Sequence, residues 1–374
     1  MKTTILKDSL RAGLSVVERV AAKSPSLPIL GNILVSAVKN AVELAATDLE
    51  IGVRYKILAK NEKEGSCVLP ARSLSQFVAL LPENQITLTA KESGLAIDAK
   101  DQQTLLKTLP AEDFPIIPTF KEGDPFVEVE THQFFEGMGQ VASMAGQTQA
   151  RPEISGVFVS FSSATCKLAA TDSFRLAEQT LVFSKGQTLQ TTFILPAKTA
   201  RELVAVLGEQ QGKTRIYVSA SQAVFDYVPE QPGKPSIQII SRLIEGEYPQ
   251  YQDIIPKDFS AKLVVDKNAF ITQLKVASIF SGKLNDVKLI ADQKKKGVEL
   301  VSKSSDVGEH VSFIPAQVQG ENIETSFNWR FLLDGVMHMK EDEIELGLSG
   351  PESPALLKSV RKEGYLYVLM PLKV

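Results

Sequence analysis

The chain has 374 residues, of which 44% are hydrophobic and 23% are charged, and its formal net charge is −3. This length predicts two or three domains, and this composition is typical of a globular protein that needs no metal or disulfide framework for its core. Taken alone, the acidic balance argues against a nucleic-acid binder, because most such proteins are basic, but it allows a local basic patch.

Cysteine usage and the N-terminus indicate where such a protein works. Cys67 and Cys166 each lie in an apolar alternating run and at no metal-ligand spacing, so we expect buried core residues in a reducing cytoplasm. The first residues, MKTTILKDSLRAG, contain no long apolar segment, and no apolar run approaches the ~18 residues of a membrane span. We therefore expect neither a signal peptide nor a membrane partner.

An amphipathic helix opens the chain and recurs 124 residues later. Repetition at a fixed offset is the sequence signature of a repeat architecture. The apolar stripe of the first helix has helical spacing and comprises Leu10, Leu14, Val17 and Ala21. The corresponding stripe of the second helix comprises Phe134, Met138, Val141 and Ala145.

The strands and turns that follow these helices repeat as well. ILGNILVSA corresponds to EISGVFVSF, and VELAATD corresponds to CKLAATD. Each copy then has a second amphipathic helix, in LPARSLSQFVALL and in LPAKTARELVAVL. The two copies close with FPIIP at 114–118 and YPQYQDIIP at 248–256.

A third, more divergent copy fills the rest of the chain. KNAFITQLKVAS and FNWRFLLDGVMHM predict its two helices, DVKLIADQKKKGVELVS predicts a hairpin with a solvated lysine turn, and YLYVLMPLKV predicts a final strand. The pattern therefore predicts an α+β fold of three similar domains, each with two helices packed on antiparallel sheets. We place these domains at 1–122, 123–257 and 258–374, with the first junction in the Pro- and Gly-rich segment PTFKEGDPF.

Motifs of catalysis are missing from the sequence. The three histidines, His132, His310 and His338, lie near no serine nucleophile motif, and the chain has no H-E-x-x-H, G-x-S-x-G, P-loop or dinucleotide fingerprint. Three copies of one fold, none with a nucleophile, base or metal set, favour binding over catalysis. We therefore expect no catalytic residue, no metal and no cofactor.

A set of motifs, taken in order and with their spacing, resembles a known family. LPILGN, TDLEIG, LPAR, FP near residue 114, ATDSFRLA, YPQYQDIIP and YLYVLMPLKV are similar to bacterial DNA polymerase III β subunits, the DNA sliding clamps. The resemblance covers essentially the whole chain. It implies a non-catalytic processivity factor, a head-to-tail homodimer that forms a closed ring of six domains around double-stranded DNA. It also implies, as partners, the replicative DNA polymerase catalytic subunit, the clamp loader complex and other clamp-motif proteins.

Two other functions stay open on the sequence alone. One is a repeat scaffold that binds peptides and never touches DNA, and the other is an enzyme with an unfamiliar site between domains. A monomer in solution would favour the scaffold. A cleft holding a perturbed pair of titratable groups would favour the enzyme.

The resemblance places basic and polar residues on the DNA-facing side of the ring. Arg72 and Lys198 recur at the start of a second helix, and the repeat alignment adds Arg330 in the third copy. Lys23 and Gln149 follow the first helices of their copies. Such side chains attract phosphates without reading bases. The alternative is that the basic residues are ordinary solvated surface charges.

By the same resemblance, the subunit interface joins the first domain of one chain to the third domain of the next. Leu106 is then expected to face Ile279 and Phe280 across this interface. The alternative is that these apolar residues belong to the core of their own domain.

The resemblance finally implies a partner pocket between the second and third domains. Phe174 stands where the family often has histidine or tyrosine, and Asp253 stands where some members have a basic residue. We expect an apolar concavity for a short peptide, with Arg151 and Arg175 bonding a peptide carbonyl or carboxylate. The alternative is that Phe174 and Leu176 only cover the domain junction. The expected wall comprises Arg151, Ile154, Thr171, Phe174, Arg175, Leu176, Pro249, Ile254, Val368, Met370, Pro371 and Leu372.

Overall fold

The computed structural model describes residues 1–21, 27–82, 84–100, 102–121, 123–148, 150–184, 186–187, 189–231, 233–360 and 364–373. Its chain forms two compact units. The first unit comprises Met1–Glu136, Gly186–Thr191 and Lys198–Ile244. The second unit comprises Gly137–Lys185, Thr192–Ala197 and Glu245–Val374.

The described residues form six α-helices, two for each copy that the repeats predict. The predicted stripes are buried except for Ala21, which is half-buried, and the first and third helices end one and three residues before the last apolar position expected for them. None of the six is long and apolar enough to cross a membrane. The helices are α1 (Lys7–Val20), α2 (Ala71–Leu80), α3 (Thr131–Ala142), α4 (Ala197–Leu207), α5 (Lys267–Ile279) and α6 (Trp329–Met337).

Strands make up most of the rest, and many alternate between buried and exposed side chains because one face packs on a core. The first thirteen are β1 (Lys2–Leu6), β2 (Asn32–Val38), β3 (Ala41–Thr47), β4 (Ile51–Leu58), β5 (Lys60–Lys63), β6 (Gly65–Pro70), β7 (Gln85–Lys91), β8 (Gly94–Ala99), β9 (Gln102–Leu106), β10 (Val127–Glu130), β11 (Gly156–Phe161), β12 (Thr165–Thr171) and β13 (Arg175–Val182). The others are β14 (Thr191–Pro196), β15 (Gly212–Val218), β16 (Gln222–Pro229), β17 (Ser236–Arg242), β18 (Ala261–Asp266), β19 (Asp286–Asp292), β20 (Gly297–Ser304), β21 (Gly308–Gly320), β22 (Ile323–Asn328), β23 (Glu343–Leu348), β24 (Ala355–Ser359) and β25 (Tyr365–Leu369).

These strands build three sheets, and the recorded strand pairs are antiparallel. The first unit holds a five-stranded sheet, β5-β1-β7-β8-β9, and an eight-stranded sheet, β10-β15-β16-β17-β4-β3-β2-β6. The second unit holds a twelve-stranded sheet, β14-β11-β12-β13-β25-β24-β23-β18-β21-β20-β19-β22. The predicted α+β class, with helices on antiparallel sheets, is confirmed.

Strand pairing explains why three copies give two compact units. In the first unit β17 of the middle copy pairs with β4 of the first copy, and in the second unit β13 of the middle copy pairs with β25 of the third. The middle copy therefore contributes one of its sheets to each unit. The domain borders that we place at residues 122 and 257 stay predictions.

Candidate functional site

The Thr-Asp motif of the second copy forms a tight turn between β12 and β13. The Thr171 hydroxyl donates to the Arg175 carbonyl oxygen over 2.7 Å. Asp172 Oδ1 accepts from the backbone N–H groups of Phe174 and Arg175 at 3.0 and 3.1 Å. Ser173 has a φ of 77°, in the left-handed region. Both polar side chains are thus used to satisfy backbone groups of the turn.

The first copy has the same turn between β3 and β4. The Thr47 hydroxyl donates to the Ile51 carbonyl over 2.9 Å, and Asp48 Oδ1 accepts from the N–H groups of Glu50 and Ile51 at 3.0 and 2.8 Å. Leu49 takes the left-handed conformation, with a φ of 74°. The repeated Thr-Asp is therefore a local device that closes a turn, and any difference in function lies in the residues after it.

Those next residues differ between the copies. The second copy has Phe174, whose side chain is 63% exposed, and Leu176, which is fully buried. The first copy has Glu50 and Gly52 at these positions. An exposed aromatic and a buried leucine therefore stand in the second copy where the first copy has a charged residue and a glycine.

Leu176 lies in a buried apolar cluster of the second unit. In the sheet, Leu176 on β13 is paired with Val368 on β25 and so lies directly beside it. The buried members of the cluster are Ala169, Leu176, Tyr251, Leu356 and Val368, and Phe158, Tyr248, Ile255, Phe259 and Leu366 pack against them. Leu176 and Val368, both expected in the pocket wall, therefore lie side by side in this buried cluster, which forms the floor of the candidate site.

Three backbone hydrogen bonds bring further predicted wall residues together. The Met370 N–H donates to the Phe174 carbonyl over 2.9 Å, so the C-terminal segment lies against the turn. The Gly146 N–H donates to the carbonyls of Ile154 and Thr171 at 2.9 and 3.1 Å. Ile154 and Thr171 are themselves buried.

The other predicted wall residues lie around this floor with different exposure. Ile254 and Met370 are 49% and 39% exposed. The Pro249 carbonyl accepts from the N–H of Tyr251, a member of the buried cluster, over 2.8 Å. Pro371 and Leu372 are half-buried. The site is therefore a buried aliphatic floor with exposed apolar side chains beside it.

The side chain of Arg175 makes several contacts within the chain itself. Its Nε donates to Asp172 Oδ2 over 2.9 Å, and its Nη1 donates to Asp334 on α6. Its guanidinium carbon lies 4.4 Å from the centre of the Phe331 ring. In the single chain, two carboxylates and a ring therefore engage the Arg175 guanidinium, and its bond to a peptide carbonyl or carboxylate stays a prediction.

Arg151 keeps more freedom than Arg175. Its side chain is half-exposed, and it donates to Glu153 over 3.0 Å and to the Ser173 hydroxyl over 3.4 Å. An exposed and only locally held guanidinium can exchange these bonds for a bond to a peptide. Arg151 is therefore the better candidate for a polar contact at the edge of the site.

The structure adds residues that the sequence did not single out. Phe331 and Asp334 contact Arg175, and Tyr251 belongs to the same buried cluster as Leu176. The Tyr251 hydroxyl donates to the buried Glu178 over 2.5 Å, and burial together with that bond raises the pKa of Tyr251 well above its ordinary value. The hydroxyl thus stays a neutral donor. Motif spacing gives no signal for Phe331, Asp334 and Tyr251, because each lies far along the chain from the turn.

The chemistry of this site suits binding and not reaction. Its side chains are aliphatic, aromatic or already paired. Burial raises the pKa of Tyr251 further above neutral pH, so this hydroxyl is a poor acid or base for catalysis. Within the part of the chain that the structure describes, no group of three or more His, Cys, Asp or Glu side chains could hold a metal ion.

The basic residues expected to face DNA share one structural position. Arg72, Lys198 and Arg330 are each the second residue of their helix, α2, α4 and α6, and each is exposed. Lys198 donates to Asp48, and this bond raises the pKa of Lys198. Lys23 and Gln149 lie outside the described residues. A role of these residues in DNA binding stays a prediction.

The residues expected at the subunit interface are accessible in the single chain. Ile279 is 63% exposed at the end of α5, which excludes it from the core. Phe280 stacks on His310, with ring centres 5.4 Å apart. Leu106 is half-buried on β9, the outer strand of the five-stranded sheet, where it is paired with Leu95.

Three domains of one known protein family account for nearly all of the chain. Residues 1–118, 128–250 and 252–373 match the N-terminal, central and C-terminal domains of the DNA polymerase III beta subunit, in that order. The chain belongs to the DNA polymerase III beta subunit family. The three copies are thus three clamp domains, and the chain is a non-catalytic sliding clamp of DNA replication.

Relatives and solved structures agree with this family. The beta sliding clamp of Synechocystis sp. is 26% identical over 397 aligned positions that cover all of both chains. The crystal structure of the Bacillus subtilis sliding clamp superposes with a TM-score of 0.93 at 25% identity, over 100% of this chain and 99% of that one. The Thermotoga maritima beta subunit gives a TM-score of 0.89 at 26% identity, with the same coverage.

Proposed function

We propose that two copies of this clamp close head to tail into a ring around duplex DNA and hold partner proteins at the site around Leu176. The partners are the replicative polymerase catalytic subunit, the clamp loader complex and other proteins with a clamp-binding motif. The observation that carries the docking site is the exposed Phe174 and Met370 beside the buried floor of Leu176 and Val368. Such a surface suits a short peptide with aliphatic and aromatic anchors.

Two strand edges support ring closure. In the five-stranded sheet, the outer strand β5 reads KNEK, and charges of this kind protect an edge from pairing. The opposite outer strand, β9, instead ends in two leucines, and Leu105 is 50% exposed. Apolar side chains on an open edge favour pairing with a strand of another chain.

A matching surface lies on the third copy. β21 is 13 residues long, and its C-terminal part pairs with β18 while its first part pairs with β20. Val311 and Phe313, in that first part, are 56% and 45% exposed, and Phe280 stacks on His310 of the same strand. We infer that β9 of one chain meets this part of β21 on the next, with Leu106 facing Ile279 and Phe280.

DNA would contact the ring through phosphates. The exposed Arg72, Lys198 and Arg330 begin the second helices of the three domains, and by resemblance Lys23 and Gln149 follow the first helices. Contacts of this kind carry no sequence information, which suits a protein that moves along DNA. A formal charge of −3 is compatible with this, because a closed ring is retained by topology and needs no strong attraction.

The proposal is tested by retention on circular DNA. The clamp is loaded onto nicked circular DNA with its loader and ATP, the complex is isolated by gel filtration, and the DNA is then cut at one site. A ring should stay with the circle and leave the linear product through its ends. Equal retention on cut and uncut DNA would show direct DNA binding and would contradict encirclement.

A further inference from the structure

Each Thr-Asp turn forms an ion pair with a helix, but the charges are reversed between the two. The turn supplies the carboxylate in the first unit and the cation in the second. In the first unit, Asp48 of the turn accepts from Lys198 on α4. In the second unit, Asp172 binds Arg175 within the turn, and Arg175 in turn binds Asp334 on α6. The second turn therefore contains its own cation, and that cation connects the turn to the third domain.

Arg175 is held on several sides at this junction. Its side chain is 12% exposed and lies over the ring of Phe331, and the Tyr367 hydroxyl donates to the Phe331 carbonyl over 2.8 Å. Burial opposes the charge of Arg175, but hydrogen bonds from its guanidinium to Asp334 and Asp172 outweigh burial and raise its pKa. A planar guanidinium between two carboxylates and a ring has one favoured orientation.

We propose that Asp334 is a positioning residue for the partner-binding site and acts through Arg175. The proposal rests on the function proposed above. Phe174 and Leu176 are the direct neighbours of Arg175 in the chain, so fixing Arg175 to α6 fixes both the exposed aromatic and the buried floor. A wall held in its bound geometry loses less conformational entropy when a peptide binds, and the affinity is correspondingly higher.

The first unit links its turn to a helix without an arginine in the turn. Gly52 follows the first turn where Leu176 follows the second, and the first turn has no arginine of its own. Glu202 is four residues after Lys198 on α4, as Asp334 is four residues after Arg330 on α6. Glu202 binds Arg19 on α1 over 2.7 Å. Glu202→Gln therefore removes a helix carboxylate of matched position that has no link to the site.

The test measures binding of a short fluorescein-labelled peptide with one leucine and one phenylalanine anchor to the full-length chain. Asp334→Asn keeps the shape of the side chain and removes its charge. We expect it to weaken peptide binding roughly 5- to 20-fold, the lower range of couplings between linked sites, mainly through faster dissociation. Glu202→Gln should bind the peptide like the unchanged chain. The chain's single tryptophan, Trp329, donates to the Ser281 hydroxyl, so its fluorescence reports whether α6 keeps its place.

A double-mutant cycle separates positioning from a direct or purely structural role. If Asp334 acts through Arg175, Asp334→Asn has little further effect on peptide binding once Arg175→Gln is present. Independent effects that add in the double variant would overturn the inference. So would unchanged peptide binding by Asp334→Asn while the unchanged chain binds, and this outcome would leave the proposed site intact. If the unchanged chain fails to bind the peptide, both the proposed site and the role of Asp334 are wrong.

Discussion

The backbone N–H of Met370 donates to the carbonyl oxygen of Phe174 over 2.9 Å, which ties the C-terminal segment to the turn of the second domain. The first unit has the same bond, from Arg242 to Glu50 over 2.8 Å. The two turns thus make the same backbone hydrogen bond. The residues that share it are apolar in the second unit, Phe174 and Met370, and charged in the first, Glu50 and Arg242, so we place partner docking only in the second.

Phe174→Ala should separate binding from folding. Phe174 is 63% exposed, so its loss should change the free energy of unfolding by less than about 0.5 kcal/mol. An exposed aromatic anchor contributes more to binding than to folding, and we expect the free energy of peptide binding to weaken by about 2 kcal/mol. Calorimetry with the peptide and urea unfolding measure the two effects. Glu50→Ala, at the equivalent position of the first turn, is the control and should leave peptide affinity unchanged.

Removal of residues 370–374 should abolish stimulation of the polymerase while the dimer still forms. The truncation removes two backbone hydrogen bonds. One runs from Met370 to the Phe174 carbonyl in the turn, and the other runs from Leu372 to the Ser326 carbonyl over 2.8 Å. Leu176→Ala is a less selective variant, because emptying a fully buried leucine site costs about 2–5 kcal/mol of stability. Primer extension and light scattering provide the two readouts. Full stimulation by the truncated chain would contradict the assignment of the site.

Ile279→Ala combined with Phe280→Ala should give a folded monomer. Ile279 is largely exposed in the single chain, so its truncation should cost little folding stability but remove an apolar contact from the interface. Size exclusion with light scattering, from micromolar to nanomolar concentration, measures the dimer. Leu80→Ala, at an 84% exposed leucine that ends α2, is the control and should stay dimeric. A double variant that remains dimeric at nanomolar concentration would rule out this interface.

Arg72→Glu with Lys198→Gln should weaken loading onto primed DNA at low salt, while the dimer persists. Each lost phosphate contact lowers, by about one, the steepness with which the logarithm of the binding constant falls with the logarithm of the salt concentration. Glutamine is preferred at 198 because Lys198 lies against Asp48, and a new carboxylate there would disturb the turn. Loading assays over a salt series provide the measurement. Unchanged loading at low salt would remove these residues from the DNA-facing side.

Acid should weaken the first unit through Glu128. Its carboxylate accepts from Lys213 over 2.8 Å and from Arg215 over 3.3 Å, and the Lys213 bond is the main cause that lowers the pKa of Glu128 against opposing burial. A lowered folded-state pKa stabilises the protein above the unfolded value of about 4.3, and this stabilisation is lost as the pH falls further. Glu128→Gln should therefore cost stability at pH 7 and progressively less below about pH 4.3 in urea unfolding. A pH-independent difference would contradict this linkage.

Much of the fold could be predicted because its signals are local. The 3.6-residue periodicity of Leu10, Leu14 and Val17 reports one buried helix face wherever the helix packs. The Thr-Asp turns form through bonds between residues at most four apart, so two copies of the motif give the same turn in two places. Repeats, helices and turns could therefore be predicted from the sequence.

Tertiary structure alone decided the partners of residues that are distant in the chain. Arg175 and Asp334 are 159 residues apart, and no periodicity or spacing links them, so the bond between them could not be predicted from the sequence. Likewise, the pairings of β17 with β4 and of β13 with β25 divide the middle domain between two compact units. The sequence by itself determined which segments are helices, strands and turns, because those depend on neighbouring residues. Which side chains stay free for a partner depends on where remote segments pack, and only the folded chain determines that.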